Sequence, residues 1–170
     1  NLYIRYLPQN PEFHPGDTIL ESIVRDNEKE PHFTSREELE ASAKRILTKL
    51  GIYDYEANVD HLSGGQKKRV ALASVLLSTA DLLILDEPTN HLDSDMADWL
   101  ETYLRQFAGA LLMITHDRYF LDCVTTRIVE LDQGKLYSYD SNYEGFVKGK
   151  AERMDRSLAS ERKRQSILRK

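Results

Sequence analysis

The run Leu82-Leu83-Ile84-Leu85-Asp86-Glu87-Pro88-Thr89-Asn90-His91-Leu92-Asp93 decides how this chain is read. Four large apolar residues in succession, entered from Ala80-Asp81 and closed by a proline, predict a short strand buried on both faces, as inside parallel sheets. Two carboxylates leave its carboxyl end together. Open α/β sheets bind ligands at that end of their strands, so Asp86 and Glu87 read as a metal partner and a base. The same pair also fits a plain acidic exit from strand into loop, and the flanking sequence has to decide.

Downstream, Ser94 is expected to cap a helix that carries Met96, Trp99, Leu100, Tyr103, Leu104 and Phe107 at helical spacing. Ala110-Leu111-Leu112-Met113-Ile114 then reads as a second buried strand. The helix between the two strands requires them to be parallel, which brings His116, in Thr115-His116-Asp117-Arg118, to the same sheet edge as Asp86 and Glu87. Residues 119–124 predict a short helix, and residues 127–131 and 135–139 a hairpin across Asp132-Gln133-Gly134. From Tyr143 the pattern is helical to the end. Val147, Ala151, Met154 and Leu158 form an apolar seam that calls for a partner helix. Arg153, Arg156, Lys163 and Lys170 fall on another face of that helix, as a basic stripe that is either a solvated surface or a polyanion contact.

Upstream, residues 2–7 read as a strand that ends in Pro8-Gln9, followed by a turn-rich segment and a short helix over residues 18–24. After a polar loop, Ser35 caps a helix whose Leu39, Ala43, Ile46, Leu47 and Leu50 share one face and which Gly51 ends. Leu62-Ser63-Gly64-Gly65-Gln66 has the spacing of a capping box ahead of a strongly apolar helix. Two adjacent glycines there cost about 1 kcal/mol each relative to alanine. Bare backbone lets N–H groups approach an anion at the positive end of the helix, which is one reason to keep them; an ordinary helix start is the other reading.

Composition sets the outer bounds. A chain of 170 residues, 41% of them hydrophobic, suits one domain of ordinary size with a real core, and excludes disordered and fibrous classes. No apolar run approaches the roughly 18 residues of a membrane span, and the first residues lack the order of a signal peptide. The single Cys123, read as core filling, excludes an internal disulfide and fits a reducing compartment. The net charge of −5 hides an asymmetry: residues 1–147 carry −11 and residues 148–170 carry +6. The first residue already lies in a strand-like run and the last in an uncapped helical pattern, so an excised piece of a longer protein is expected.

Taken together, Gln9 after a strand, Leu62 to Gln66 opening a helix, Leu82 to Glu87, Leu92-Asp93 and His116 are similar, in order and spacing, to the Q-loop, signature, Walker B, D-loop and switch histidine of ATP-binding cassette (ABC) ATPases. Residues 86–93, with Thr115 to Leu121 and Asn142-Tyr143, resemble the ABC-F branch and its Uup-like subgroup. The resemblance implies an α/β fold: a partial P-loop NTPase-type ABC cassette, with a mostly parallel sheet and a helical subdomain, followed by a long C-terminal helix. Residues 1–140 would be cassette, with the helical subdomain at about 10–80, and 141–170 the start of an interdomain linker, the whole being the back half of the first of two cassettes. One departure stands out. No Gly-x-x-x-x-Gly-Lys-Ser/Thr occurs, so the phosphate-cradling loop is expected before Asn1, and the chain by itself is expected to be inactive.

By the same resemblance the cofactors are ATP and Mg²⁺. Asp86 and Gln9 would approach the metal, partly through water; Glu87 would act on the attacking water, and His116 on the γ-phosphate. Ser63, Gly64, Gly65, Gln66 and Asp93 would contact nucleotide, the signature residues acting on ATP held by the second cassette of the same polypeptide. The implied function is that of a cytoplasmic, ribosome-associated translation factor, with Arg153, Arg156, Lys163 and Lys170 toward tRNA or ribosomal RNA. A transporter ATPase subunit and a DNA-associated ATPase are the alternatives.

Overall fold

The computed structural model describes residues 1–168, and the chain divides between Asp117 and Arg118 into two compact units. The first unit contains, in order, β1 (Ile4–Leu7), α1 (Ile19–Asn27), α2 (Arg36–Lys49), α3 (Gly64–Leu76), β2 (Leu82–Asp86), α4 (Ser94–Arg105) and β3 (Ala110–Ile114). The three strands form one sheet in the order β1-β2-β3, and both pairings are parallel, as the α4 crossover requires. Leu7 pairs with Leu85, and Asp86 with Ile114, so the carboxyl ends of all three strands share one edge.

Burial departs from expectation. Leu7, Leu83 and Leu85 are fully buried, but the neighbouring face shows Ile4, Tyr6, Leu112 and Ile114 half exposed, with Leu82 and Ile84 intermediate. Neither β2 nor β3 is therefore sealed on both faces. A parallel strand reads as continuously apolar when helices lie on both sides of its sheet. Here the buried core, including Ile19, Ile23, Leu47, Leu50, Leu72 and Leu76, is shared by α1, α2 and α3.

Caps fix the helix starts. Thr18 and Glu21 close a capping box on α1, and the Ser35 hydroxyl accepts the Glu38 N–H at 3.1 Å on α2. At α4 the cap is Asp93 rather than Ser94: Asp93 is extended (φ −80°, ψ 177°) and its carboxylate accepts the Met96 N–H at 2.9 Å, leaving Ser94 as the first helical residue. Gly51, at φ +72°, reverses the chain after α2 against the Met96 side chain, where a Cβ would collide. Polar groups pin β1 to the helices. Arg5 donates to the Asp26 carbonyl, Asn27 and Ser74, while buried Glu30 accepts from Tyr3 and, at 3.1 Å, from both the backbone and hydroxyl of Thr79.

The second unit contains α5 (Arg118–Val124), the antiparallel hairpin β4 (Ile128–Asp132) and β5 (Lys135–Tyr139), and α6 (Tyr143–Leu168). Gln133 and Gly134, at φ 47° and 76°, give the hairpin its tight turn. Arg153 of α6 reaches back to the hairpin: it donates to Glu130 at 2.8 Å and Asp132 at 3.2 Å and lies 3.6 Å over the Tyr137 ring. Val147, Met154 and Leu158 are about half exposed, so the predicted seam is present without a partner among the described residues. Cys123 is half-buried rather than core filling.

Candidate active site

Asp86 ends β2, and the chain turns sharply at Glu87, which adopts the left-handed conformation at φ 49°. A non-glycine residue there costs about 1–2 kcal/mol. Two contacts hold the peptide unit between Asp86 and Glu87 in that conformation. Its N–H donates to the Ile114 carbonyl at 2.7 Å, and its C=O accepts from the Lys68 ammonium at 2.6 Å. The Glu87 side chain, 9% exposed, then meets His116: one oxygen is 3.2 Å from Nε2 and the other accepts the His116 backbone N–H at 3.3 Å. The His116 imidazole is otherwise almost wholly exposed. Parallel pairing of β2 and β3 thus makes a carboxylate–imidazole pair from residues far apart in sequence.

Lys68 was not singled out by sequence reasoning. It sits on the buried face of α3, 4% exposed, and its ammonium donates to the Pro8 carbonyl and the Asp86 carbonyl, both at 2.6 Å, with the Gln9 carbonyl at 3.5 Å. Burial pushes its pKa below the ordinary 10.5, opposed by the negative charges of Asp86 and Glu87. One cation therefore joins the ends of β1 and β2 to the helix that begins at Gly64. The signal that could have found it is periodicity: Lys68, Leu72, Val75 and Leu76 share the core-facing stripe of α3.

The start of α3 is set by Ser63 and Gln66, a reciprocal capping box with distances of 3.2 and 2.9 Å. The two glycines differ. A Cβ on Gly65 would sit 3.1 Å from the side chain of exposed His91, itself at a left-handed φ of 65°, which would have to give by a few tenths of an ångström. A Cβ on Gly64 would meet nothing within 4 Å. No acceptor is placed, among the described residues, for the Gly64 and Gly65 N–H groups, which leaves two donors at the positive helix end for an anion. Gln9, Gly64, Lys67, Asn90 and His91 line a cleft of about 300 Å³ beside them.

The donor set fits a hard divalent cation in an incomplete way. No group of three or more His, Cys, Asp or Glu is placed to hold a metal among the described residues. Among the described residues the Asp86 carboxylate takes no hydrogen bond, and the exposed Gln9 amide lies at the same strand edge. One carboxylate and one amide suit Mg²⁺, which keeps several waters and completes its shell with phosphate oxygens. Asp93 is exposed and occupied with capping α4. Of the proposed RNA contacts, Arg153 is held by Glu130 and Asp132, Arg156 is exposed and paired with Glu152, Lys163 is exposed, and Lys170 lies outside the described residues.

Two family profiles, both described as ABC transporter, match residues 2–90 and 129–170. The ABC transporter ATP-binding protein YfmR of Bacillus subtilis is 43% identical over 203 aligned positions, covering all of this chain and 32% of YfmR. The alignment is longer than the 170 residues here, so YfmR has residues inside the matched region with no counterpart in this chain. The energy-dependent translational throttle protein EttA of Escherichia coli is 34% identical over 100% of this chain and 37% of its own length; that of Mycobacterium tuberculosis is 44% identical over 81% and 25%. The chain thus spans between 25% and 37% of the length of these relatives. Among solved structures, a dimeric ATP-binding cassette in a post-hydrolysis state bound to ADP and Pi superposes with a TM-score of 0.68 at 25% identity, over 81% of this chain and 62% of that one. The RNase-L Inhibitor gives 0.65 at 28% identity, over 94% and 30%. With a cassette profile over residues 2–90 and relatives such as EttA aligned along its whole length, the chain belongs to the ATP-binding cassette family and, within it, to the ABC-F branch.

Proposed function

We propose that this chain supplies the hydrolytic half of an ATPase site in a ribosome-associated ABC-F translation factor of the cytoplasm. The observation that carries the chemistry is the Glu87–His116 pair, 3.2 Å apart on a clamped turn at the carboxyl edge of a parallel sheet. The factor assignment is supported by the likeness to EttA, a translational throttle protein by name. Residues 1–140 are read as cassette, with a helical subdomain at about 10–80, and residues 141–170 as the start of a linker to a second cassette of the same polypeptide.

Phosphoryl transfer to water needs charge neutralisation and positioning more than covalent chemistry. Bound Mg²⁺ would neutralise charge on the phosphates; Asp86 and Gln9 are the residues that would hold it, partly through water. Glu87 orients the attacking water and takes its proton on a carboxylate oxygen, and its burial keeps bulk water from competing. His116, with an exposed imidazole, contacts the γ-phosphate. Gly64 and Gly65 offer backbone N–H groups to ATP on the second cassette, with Ser63 and Gln66 holding the helix end in place and Asp93 facing the same nucleotide. Arg153 is engaged within its own unit, so Arg156, Lys163 and Lys170 are the stronger candidates for RNA phosphates.

The test uses the full-length protein. Glu87→Gln lowers ATP turnover by about 10²–10⁴-fold, the range for loss of a positioned base, while ribosome co-sedimentation with ATP increases and weakens with salt. Near-normal turnover in a single-turnover assay would remove Glu87 from the mechanism. Retention on duplex DNA without retention on ribosomes would replace the translation reading with a DNA-associated one.

A further inference from the structure

A second cleft, of about 780 Å³, lies in the first unit between α2 and α4 with the end of α3 as its floor. It shares no residue with the Gln9–His91 cleft. Its floor is the buried pair Ile46 and Leu77, and its walls are aromatic: Phe33 and Tyr55 on the α2 side, Trp99 and Tyr103 on the other. The walls are set rigidly. The Tyr103 hydroxyl donates to the Leu76 carbonyl, and Trp99 packs on Tyr103 with ring centroids 5.3 Å apart.

Charge makes the cleft unusual. Lys44, Arg45 and Lys49 line its mouth, and none of them forms an ion pair among the described residues. Among the described residues Arg45 donates to the Ser42 hydroxyl, and Lys44 stands 5.8 Å over the Tyr55 ring. Elsewhere on the same two helices the cations are paired, Arg36 with Glu40 and Arg105 with Glu101. Glu38, the carboxylate among the lining residues, accepts from the Thr34 backbone and hydroxyl and feels the charge of Arg45 only weakly beside them, without an ion pair. Three unpaired cations thus border an apolar aromatic trough in a region, residues 1–147, whose net charge is −11.

We propose that this cleft docks an amphipathic helix of a partner protein whose apolar face is flanked by carboxylates. Apolar side chains fill the trough between Trp99 and Phe33, and Asp or Glu residues beside them meet Lys44, Arg45 and Lys49. α2, with 14 residues, is about 21 Å long, enough to lie along three to four turns of a partner helix in the manner of helix-in-groove recognition. The acidic body argues against RNA or DNA here, since a long polyanion would be repelled by the surrounding surface while a short acidic helix meets only the local cations. The proposal is independent of the ATPase reading, because none of these residues touches that site.

Trp99 provides the readout. Synthetic amphipathic helices of about 18 residues, sharing one apolar face but ranging from acidic to basic flanks, are titrated into the full-length protein while tryptophan emission is followed; Trp99→Phe identifies the signal that comes from the cleft. The acidic peptide is expected to shift Trp99 emission and to bind at least about tenfold more tightly than the basic one, about 1.4 kcal/mol. Reversing Lys44, Arg45 and Lys49 to Glu, the first half-buried and the other two exposed, is expected to invert that order, and a bulky Ser42→Trp substitution to block binding with the charges intact. Equal binding of acidic and basic peptides, no binding by any peptide, or a stronger response to single-stranded RNA would overturn the proposal.

Discussion

Lys68→Met removes an ammonium and keeps the length and apolar stem of the side chain. Two carbonyl oxygens, those of Pro8 and Asp86, each lose a donor at 2.6 Å in a place where the lysine is only 4% exposed. An orphaned buried acceptor costs about 1–3 kcal/mol, so two cost about 2–6 kcal/mol. Methionine no longer has to bury a charge, which returns part of this, and the net destabilisation of the two strand ends is expected to be about 2–3 kcal/mol. At about 1.4 kcal/mol per tenfold, this is roughly a 30- to 150-fold rise in local opening. Hydrogen exchange with mass spectrometry on peptides covering residues 5–12 and 84–92 of the full-length protein reads that opening directly. Lys68→Arg should restore part of the protection. Unchanged protection in both peptides would refute the clamp.

The same substitution carries a pH signature. Burial lowers the Lys68 pKa in the folded protein below the ordinary 10.5, so between the two values the unfolded chain binds more protons and stability rises with pH. Wild type should therefore gain stability as pH climbs toward 10.5, the contribution being lost as pH falls through the folded value, while Lys68→Met lacks this slope. Parallel stability curves for the two proteins would show that Lys68 is solvated.

Gly64→Ala and Gly65→Ala should part company. The first meets open space and should leave the fold intact or up to about 1 kcal/mol more stable, yet lower ATP turnover in the full-length protein; the second meets the His91 side chain at 3.1 Å, which has to shift, and should be less stable than the first. Thermal melts beside ATPase rates separate them, and equal melts would remove the distinction. Arg153→Ala should lower the stability of the second unit, because two carboxylate contacts and a ring contact are lost. Arg156→Ala, which breaks only an exposed pair with Glu152, should cost no more than about 0.5 kcal/mol in a denaturation series.

Local signals were legible because they are set within a few residues. The capping box at Ser63, the periodic faces of α2 and α4, and the parallel relation of β2 and β3 follow from spacing alone, whereas the box that Thr18 and Glu21 close on α1 emerged only from the structure. At α4 two adjacent residues could cap, and only the extended backbone at Asp93, whose carboxylate accepts the Met96 N–H, shows which of them does. Strand burial was not legible. An apolar run such as Ala110 to Ile114 states what a strand can bury, while the 51% exposure of Leu112 depends on what lies across the sheet. Arg153 misled for a related reason: helical spacing placed it on a basic stripe, but Glu130, Asp132 and Tyr137 come from a hairpin whose distance from the helix no spacing rule contains.

Lys68 also changes what the signature helix does. On the proposed reading, Gly64 serves ATP held by another cassette, whereas Glu87 serves ATP held by this one. Lys68 stands one helical turn beyond Gly64, and its ammonium grips the peptide carbonyl that precedes Glu87. That peptide is the strained one, with φ 49° at Glu87 maintained by Lys68 on one side and the Ile114 carbonyl on the other. A shift of α3 as a rigid unit therefore cannot leave the Glu87 turn unaffected: either Lys68 carries the Asp86 carbonyl with it or the clamp lengthens and the strained conformation loses support. On that reading, the i to i+4 spacing of a single helical turn would give the two ATP sites a short mechanical connection, in which occupancy at one would be felt as the orientation of the base in the other.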